Sequence, residues 1–152
     1  MAMTDRGRSL DGHDESQAQM MDEMCILVDS ENQVIGAKSK LDCHHDEGFL
    51  HRAFSVLLFD REGRLLVQRR SPEKITFPGI WANSCCSHPL DIEGENSNDL
   101  DGAINAAIRK LEQELGIPAE ISKEWDFHNV GVLEYSCRWN SEWIEREMDY
   151  VI

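Results

Sequence analysis

The last residues of the chain include an acidic run with the spacing of one face of a β-strand. Glu145, Glu147 and Asp149 alternate with other residues, and alternate residues of a strand point to the same side. Successive carboxylates on such a face lie about 7 Å apart and repel each other unless a cation or water screens them. The pattern predicts either a solvated sheet face or one part of a cation site.

Histidines earlier in the chain could supply the other part of such a site, namely His44, His45, His51 and His88. Imidazole together with carboxylate is a ligand set that suits zinc, manganese or iron better than calcium. The spacing matches no closed zinc-finger pattern, and a single histidine is most often an ordinary surface or core residue. The histidines therefore indicate metal chemistry only if the fold gathers them.

Two adjacent cysteines, Cys85 and Cys86, come just before His88. Neighbouring residues of an extended chain point to opposite sides, so a pocket that Cys86 faces is also faced by His88. A thiol has an ordinary pKa of about 8.5, which lets it give or take a proton near neutral pH. The alternative is that both thiols are small buried apolar side chains, which is the commonest fate of a free cysteine.

Cationic residues and one helical glutamate form a further group. Lys110 and Glu114 are one helical turn apart, and as a surface ion pair they would contribute only a few tenths of a kcal/mol. In a functional interpretation, Glu114 holds a magnesium ion bound to phosphate oxygens, and Lys110 contacts a diphosphate. Arg70, Lys74 and Lys40 are solvated side chains by default, but they could also neutralise a diphosphate.

The elements that must position these residues are mostly strands. Apolar and β-branched runs predict strands over residues 24–29, 34–37, 49–60, 64–70, 129–139 and 145–152. An apolar stripe at helical spacing predicts one well-marked helix over residues 100–115, ended by Gly116 and Pro118. Strands that dominate around a single helix indicate an α/β (α+β) sandwich with a mixed sheet, in which we expect His44 to lie in a loop.

Composition narrows the partners and the setting. The formal charge of −14 disfavours nucleic acid and anionic membrane surfaces, and no apolar run approaches the roughly 20 residues of a membrane span. Five cysteines without a secreted spacing pattern favour free thiols in a reducing, cytoplasmic setting. We expect a monomer with a flexible tail over residues 1–22 and a core over residues 23–152. Because the sequence stops at Ile152 inside an apolar strand, we expect the C-terminal part of the core to be missing.

Seven short strings give the chain its resemblance to the type I isopentenyl-diphosphate isomerases of the Nudix superfamily. They occur in the family's order, and the strings with Cys-Cys-Ser-His-Pro and Trp-x-Glu-x-Glu are the specific ones. The strings are CH at 43–44, LHRAFS at 50–55, QRRS at 68–71, KITFPG at 74–79, NSCCSHPL at 83–90, ELGIP at 114–118 and WIEREMDY at 143–150.

The resemblance implies a Nudix-like sandwich with one Nudix-type helix, and an enzyme that interconverts isopentenyl and dimethylallyl diphosphate. It implies one divalent ion (manganese, zinc or magnesium), held by five side chains: His44, His51, His88, Glu145 and Glu147. It also implies that Cys86 and Glu147 transfer protons with help from Tyr135. A magnesium ion bound with the diphosphate would be held by Glu114 and by the main-chain carbonyl of Cys86. Four cations would receive the small allylic or homoallylic diphosphate: Lys40, Arg70, Lys74 and Lys110.

Some features depart from the family pattern. Lys110 stands where family members often carry arginine. The lysine keeps the positive charge but cannot make the bidentate phosphate contact of an arginine. Family chains continue well beyond the last string, with an aromatic residue that covers the substrate. Trp81 is the aromatic residue in this chain that could stabilise a carbocation. A eukaryotic chain that continues further could carry a peroxisomal address instead of remaining in the cytoplasm.

Two alternatives stay open from the sequence. The first is a Nudix hydrolase of a nucleoside diphosphate derivative, although Lys110 and Gln113 stand where that motif requires glutamates. The second is a catalytically silent metal-binding module. Released phosphate would indicate the hydrolase, and bound metal without turnover would indicate the silent module.

Overall fold

A computed structural model describes residues 10, 12, 15–97 and 100–152 of the chain. Much of the expected tail over residues 1–22 therefore lies outside the described residues. The helices are α1 (Glu15–Met20), α2 (Lys40–His44), α3 (Leu100–Leu115) and α4 (Ala119–Ser122). The strands are β1 (Met24–Val28), β2 (Val34–Ser39), β3 (His51–Val56), β4 (Gln68–Arg69), β5 (Trp81–Ala82), β6 (Cys85–Ser87), β7 (Gly131–Arg138) and β8 (Ile144–Val151).

The main sheet has the order β2-β1-β3-β8-β7, with β6 also paired to β3. The strands β3 and β8 are parallel, whereas β1–β2, β1–β3, β3–β6 and β7–β8 are antiparallel. A parallel pair needs a long crossover connection, and here the segment between β3 and β8 includes α3. The prediction of an α+β fold with a mixed sheet is confirmed.

The helix α3 supplies the other layer of the core. Its alanines approach the sheet closely, and Ala103, Ala107 and Leu111 are completely buried against Phe54 of β3 and Tyr150 of β8. The helix spans the residues that its apolar stripe predicts. It ends at Leu115, and the next residue, Gly116, has a φ of 67°, a backbone conformation that glycine adopts at little cost.

Two predicted strands are much shorter in the structure. The strand expected over residues 49–60 is β3, and only Gln68–Arg69 of the segment 64–70 forms a strand. The hydroxyl of Ser84 accepts a hydrogen bond from the Leu58 N–H at 2.8 Å and donates to the Leu66 carbonyl at 2.7 Å. A side chain therefore provides bonds that a strand partner would otherwise make, and the alternation of residue types does not reveal this.

The prediction that His44 lies in a loop is wrong, because His44 is the last residue of α2. The hydroxyl of Ser39 accepts a hydrogen bond from the Asp42 N–H at 3.1 Å and caps this short helix, as serine commonly does. A helix of five residues is too short to show a periodic apolar stripe. Among the described residues, no helix combines the length and the apolar character that crossing a bilayer requires.

Candidate metal centre and adjoining cavity

Three histidines from separate elements meet one glutamate inside the protein. His44 comes from the end of α2, His51 from the start of β3, His88 from just after β6, and Glu147 from β8. One ligand atom of each residue lies within 4.8 Å of the ligand atoms of the other three. All four side chains are buried, and His51 is completely so.

Strand register brings the glutamate to the histidines. In the parallel β3–β8 pair, Glu147 lies directly opposite His51. Its Oε1 atom is 3.0 Å from Nε2 of His88, 3.7 Å from Nε2 of His44 and 3.8 Å from Nε2 of His51. One carboxylate oxygen therefore faces three imidazole nitrogens.

The backbone orients two of the imidazole rings. Nδ1 of His44 donates to the Lys40 carbonyl, and Nδ1 of His51 donates to the Phe49 carbonyl, each at 2.8 Å. A proton on Nδ1 leaves Nε2 with a free lone pair, which is the usual state of a metal-ligating histidine. Nε2 of His51 is buried and has no hydrogen-bond partner within the described part of the chain. This orphaned acceptor fits a divalent metal, which the four side chains could hold.

The pKa values of these side chains also favour metal binding. Burial lowers the pKa of His51 to about 4, and burial also lowers the pKa of His88 well below its ordinary value. Burial acts to raise the pKa of Glu147, but its contacts with His44 and His88 outweigh this and lower that pKa. The lowered pKa values of His51 and His88 favour neutral imidazoles, and that of Glu147 favours a carboxylate; these are the forms that bind metal.

Glu145 lies beside this cluster. It shares a strand face with Glu147, but its Oε2 accepts from the Tyr135 hydroxyl at 3.3 Å and its Oε1 accepts from Thr76 at 3.4 Å. Burial and the neighbouring Glu147 charge raise the pKa of Glu145. In this arrangement Glu145 is outside the group of four that share a common centre, although it reaches the same cavity.

Tyr135 joins the two glutamates from the neighbouring strand. It lies opposite Glu147 in the β7–β8 pair, and its hydroxyl donates to Oε2 of Glu147 at 2.5 Å. Burial and the two carboxylates raise the pKa of Tyr135, so the hydroxyl keeps its proton. Glu147 therefore faces imidazoles with one oxygen and a phenol with the other.

A cavity of about 450 Å³ adjoins the cluster. Cys86 lies in its wall with His88, Tyr135 and Glu147. Burial raises the pKa of Cys86 to about 11, although the Arg70 guanidinium, whose Nη1 is 3.9 Å from the sulfur, acts to lower it. The thiol is therefore protonated at neutral pH.

Cys85 has a different environment from its neighbour. It is completely buried and belongs to the core between β3 and α3, with its Sγ 3.9 Å from Oε2 of Glu114. Burial raises its pKa to about 12. Of the two adjacent thiols, only Cys86 is among the described residues that line the cavity.

Cations gather at another part of the cavity wall, which includes Lys40, Arg70, Lys74 and Glu114. Oε1 of Glu114 is 3.6 Å from Nζ of Lys74 and 3.2 Å from Nζ of Lys110. Burial acts to raise the pKa of Glu114, but the two lysines outweigh it and lower that pKa. Lys110 is buried behind Glu114 and is not among the described lining residues.

The structure does not place Trp81, the aromatic residue suggested by the sequence, in the cavity wall. Trp81 is 69% exposed and is not among the described lining residues, whereas Phe77 lines the cavity. Phe77 has a φ of 48°, and Arg70 donates to its carbonyl at 3.0 Å. Sequence reasoning missed Phe77, although its place between Lys74 and Pro78 in a functional string was a usable signal.

The sequence of the chain is similar to those of known proteins. The NUDIX domain family matches residues 49–152. The chain is 47% identical over 151 residues to an isopentenyl-diphosphate delta-isomerase of Gibberella zeae, covering 94% of this chain and 60% of that relative. Isopentenyl-diphosphate Delta-isomerase 1 of Mesocricetus auratus is 48% identical over 144 residues, covering 91% and 63%. The isopentenyl-diphosphate delta-isomerase of Schizosaccharomyces pombe is 44% identical over 148 residues, covering 92% and 65%. The chain thus spans less than two thirds of the length of these relatives.

Proposed function

This chain belongs to the NUDIX domain family, and on that premise we propose that its full-length protein interconverts isopentenyl and dimethylallyl diphosphate. The observation that carries the proposal is the position of Glu147. This buried carboxylate lies between three imidazoles and the Tyr135 hydroxyl, in the wall of a cavity that Cys86 also lines. The names of the relatives support the same reaction.

The reaction requires two proton-transfer groups because the substrate has no carbonyl next to the migrating double bond. Adding a proton to the terminal alkene carbon gives a tertiary cation, and removing one from the carbon nearer the diphosphate gives the product. The acid and the base must lie on opposite faces of a flat hydrocarbon. Cys86 on β6 and Glu147 on β8 come from separate strands on the two sides of β3.

The protonation states of Cys86 and Glu147 suit the roles of acid and base. Burial keeps Cys86 as a thiol, with its pKa raised to about 11, while Glu147 is ionised because its pKa is lowered despite burial. One group therefore holds a proton that it can give, and the other can accept one. Tyr135 holds the second oxygen of Glu147 by a hydrogen bond, so the phenol fixes the carboxylate's orientation.

The cavity wall has complementary parts for the two ends of the substrate. Arg70, Lys74 and Lys40 supply positive charge that would bind the diphosphate, and Glu114 beside Lys74 would hold a magnesium ion with it. The main-chain carbonyl of Cys86 would be a further ligand of that ion. Phe77 and Ile75 supply apolar wall, which would keep water away from the tertiary cation.

The His44, His51, His88 and Glu147 cluster would hold one divalent ion, with Glu145 as a fifth ligand after a side-chain rotation. Manganese, zinc and magnesium are the candidates, and imidazole ligands favour the first two. When bound, the ion supplies a fixed positive charge that stabilises the ionised form of Glu147. We expect the cluster to order the proton-transfer groups.

The hydrolase alternative gains no support from the helix. Lys110 is buried and engaged with Glu114, so a cation occupies a position where the hydrolytic motif needs a further carboxylate. Oligomeric state and cellular location remain predictions from the sequence, namely a monomer in the cytoplasm.

The test is to incubate the full-length protein with isopentenyl diphosphate, manganese and magnesium in D2O, and to follow the products by NMR. We expect dimethylallyl diphosphate that carries deuterium in a methyl group, because the added proton comes from an exchangeable group. A parallel incubation with nucleoside diphosphate derivatives measures phosphate release. Phosphate release without isomerisation would overturn the proposal in favour of the hydrolase, and metal binding without either activity would favour the silent module.

A further inference from the structure

We infer that Glu95 and Arg109 form a positioning pair that fixes the loop carrying His88 and thereby sets the affinity of the metal cluster. The inference rests on the metal site proposed above. In the described contacts, neither residue bonds to the side chain of any of the four ligands, so both would act through the backbone of residues 88–90.

The pair bonds directly to that backbone. The Glu95 carboxylate accepts hydrogen bonds from Nε of Arg109 at 2.6 Å and from Nη2 at 2.9 Å. It also accepts from the Leu90 N–H at 2.9 Å, while Nη2 of Arg109 donates to the His88 carbonyl at 3.2 Å. The two side chains thus hold both ends of the His88–Leu90 segment.

His88 needs such support more than the other two histidines do. The rings of His44 and His51 are each oriented by a backbone carbonyl at 2.8 Å. Nδ1 of His88 is buried and has no hydrogen-bond partner among the described residues. Apart from the contact of its Nε2 with Glu147 at 3.0 Å, the position of this ring therefore depends on its own backbone, whose carbonyl accepts a hydrogen bond from Arg109.

The loop is also fitted closely to α3. Gly102 lies on the buried side of the helix, where a Cβ atom would come within 2.5 Å of the Glu95 carbonyl. The Asn105 amide donates to the Gly94 carbonyl at 2.7 Å. Close backbone approach and a bidentate bond from Arg109 to the buried Glu95 carboxylate are features that fix geometry, since the guanidinium fork matches a carboxylate in one plane.

The experiment measures cobalt binding to the full-length protein with Glu95→Gln and, separately, Arg109→Lys. Cobalt alone is the probe, since its visible absorption reports the number and arrangement of the ligands. We expect each variant to bind cobalt about 10- to 100-fold more weakly, as is typical for outer-shell partners of metal ligands, and with altered absorption bands. Glu47→Gln is the matched control, because Glu47 pairs with Arg138 on the surface, and it should leave both readouts unchanged.

A double-mutant cycle separates positioning from a general effect on stability. If Glu95 acts through His88, then Glu95→Gln should weaken cobalt binding in the parent protein and have no further effect in the His88→Ala background. An equal loss in both backgrounds would overturn the inference. So would parent-like affinity and absorption in the Glu95→Gln and Arg109→Lys variants. Arg109→Lys keeps the charge, so it carries the test if Glu95→Gln does not fold.

Failure of the proposed metal site would give a different result in the cobalt experiment. If the parent protein itself binds no cobalt, the metal site is wrong, and the positioning inference falls with it. If the parent binds cobalt and the variants match it, only the positioning inference is overturned.

Discussion

Tyr135 and Glu147 lie opposite one another on β7 and β8, and the Tyr135 hydroxyl donates to Oε2 of Glu147 at 2.5 Å. The other oxygen of the same carboxylate faces His44, His51 and His88. One side chain is thus shared between a candidate metal cluster and a phenol at the cavity wall. Because hydrogen bonds and imidazole contacts stabilise both oxygens of the carboxylate, the glutamate can be buried here and remain ionised.

We predict that Glu147→Gln, in the full-length protein, lowers both metal retention and isomerisation. The amide presents no negative charge to the cluster and cannot accept a proton, and general acid–base groups contribute roughly 10²- to 10⁴-fold to rate. Bound metal after gel filtration and turnover with isopentenyl diphosphate are the measurements.

The control for this change is Glu134→Gln, since Glu134 is exposed on the neighbouring strand β7. It should behave like the parent protein in both assays. Normal metal content and turnover in Glu147→Gln would remove this residue from the site.

Cys86→Ala should separate chemistry from metal binding. The thiol lines the cavity but is outside the group of four candidate ligands, and alanine keeps the main-chain carbonyl. We expect kcat to fall by about 10²-fold or more while metal content stays at the parent level. Cys25→Ala is the control, because Cys25 is buried in a separate apolar cluster. Turnover near the parent value in Cys86→Ala would rule out the thiol as a proton-transfer group.

Lys74→Ala should weaken substrate binding. Its ammonium lies at the cavity wall 3.6 Å from Glu114, where it would face the diphosphate. Loss of a charge-assisted hydrogen bond costs about 1.5–3 kcal/mol, so we expect KM to rise roughly 10- to 100-fold. Steady-state kinetics give the measurement, and Lys123→Ala, which changes an exposed lysine, is the control. An unchanged KM would place the diphosphate elsewhere.

Asp149 should make the metal-free protein less stable as the pH rises. Burial, with added repulsion from Glu147 and Glu145, raises the pKa of Asp149 to about 7 from an ordinary 3.8, despite a hydrogen bond from Ser55. Between those values the folded protein keeps a proton that the unfolded chain releases. Stability is therefore greatest below about pH 4 for this group and falls until about pH 7, by at most about 1.4 kcal/mol per pH unit.

Urea unfolding with a chelator at pH 5 and pH 8 tests this linkage. Asp149→Asn removes the titrating group, so its stability relative to the parent should increase between the two pH values by on the order of 1–3 kcal/mol. Asp22→Asn, at an exposed position, should follow the parent. A parent and an Asp149→Asn variant with equal pH dependence would contradict the shifted pKa.

Local patterns were enough to predict part of this fold. The stripe in α3 and the apolar and β-branched runs in β1, β2, β7 and β8 depend only on neighbours a few positions away, so they can be read from the sequence. The limits of β3 and β4 do not follow from such patterns, because the Ser84 hydroxyl, from a distant segment, bonds to the backbone of Leu58, beyond the end of β3, and of Leu66, before the start of β4.

By itself, the sequence determined the chemical types: imidazoles, a strand with alternating carboxylates and a pair of adjacent thiols. Only the tertiary structure decided which of them meet. Glu145 and Glu147 share one strand face, but the β3–β8 register sets Glu147, and not Glu145, opposite His51. That register is established by hydrogen bonds between segments far apart in the chain and by the packing of α3 over both strands, and neither effect leaves a mark in the spacing of the residues themselves.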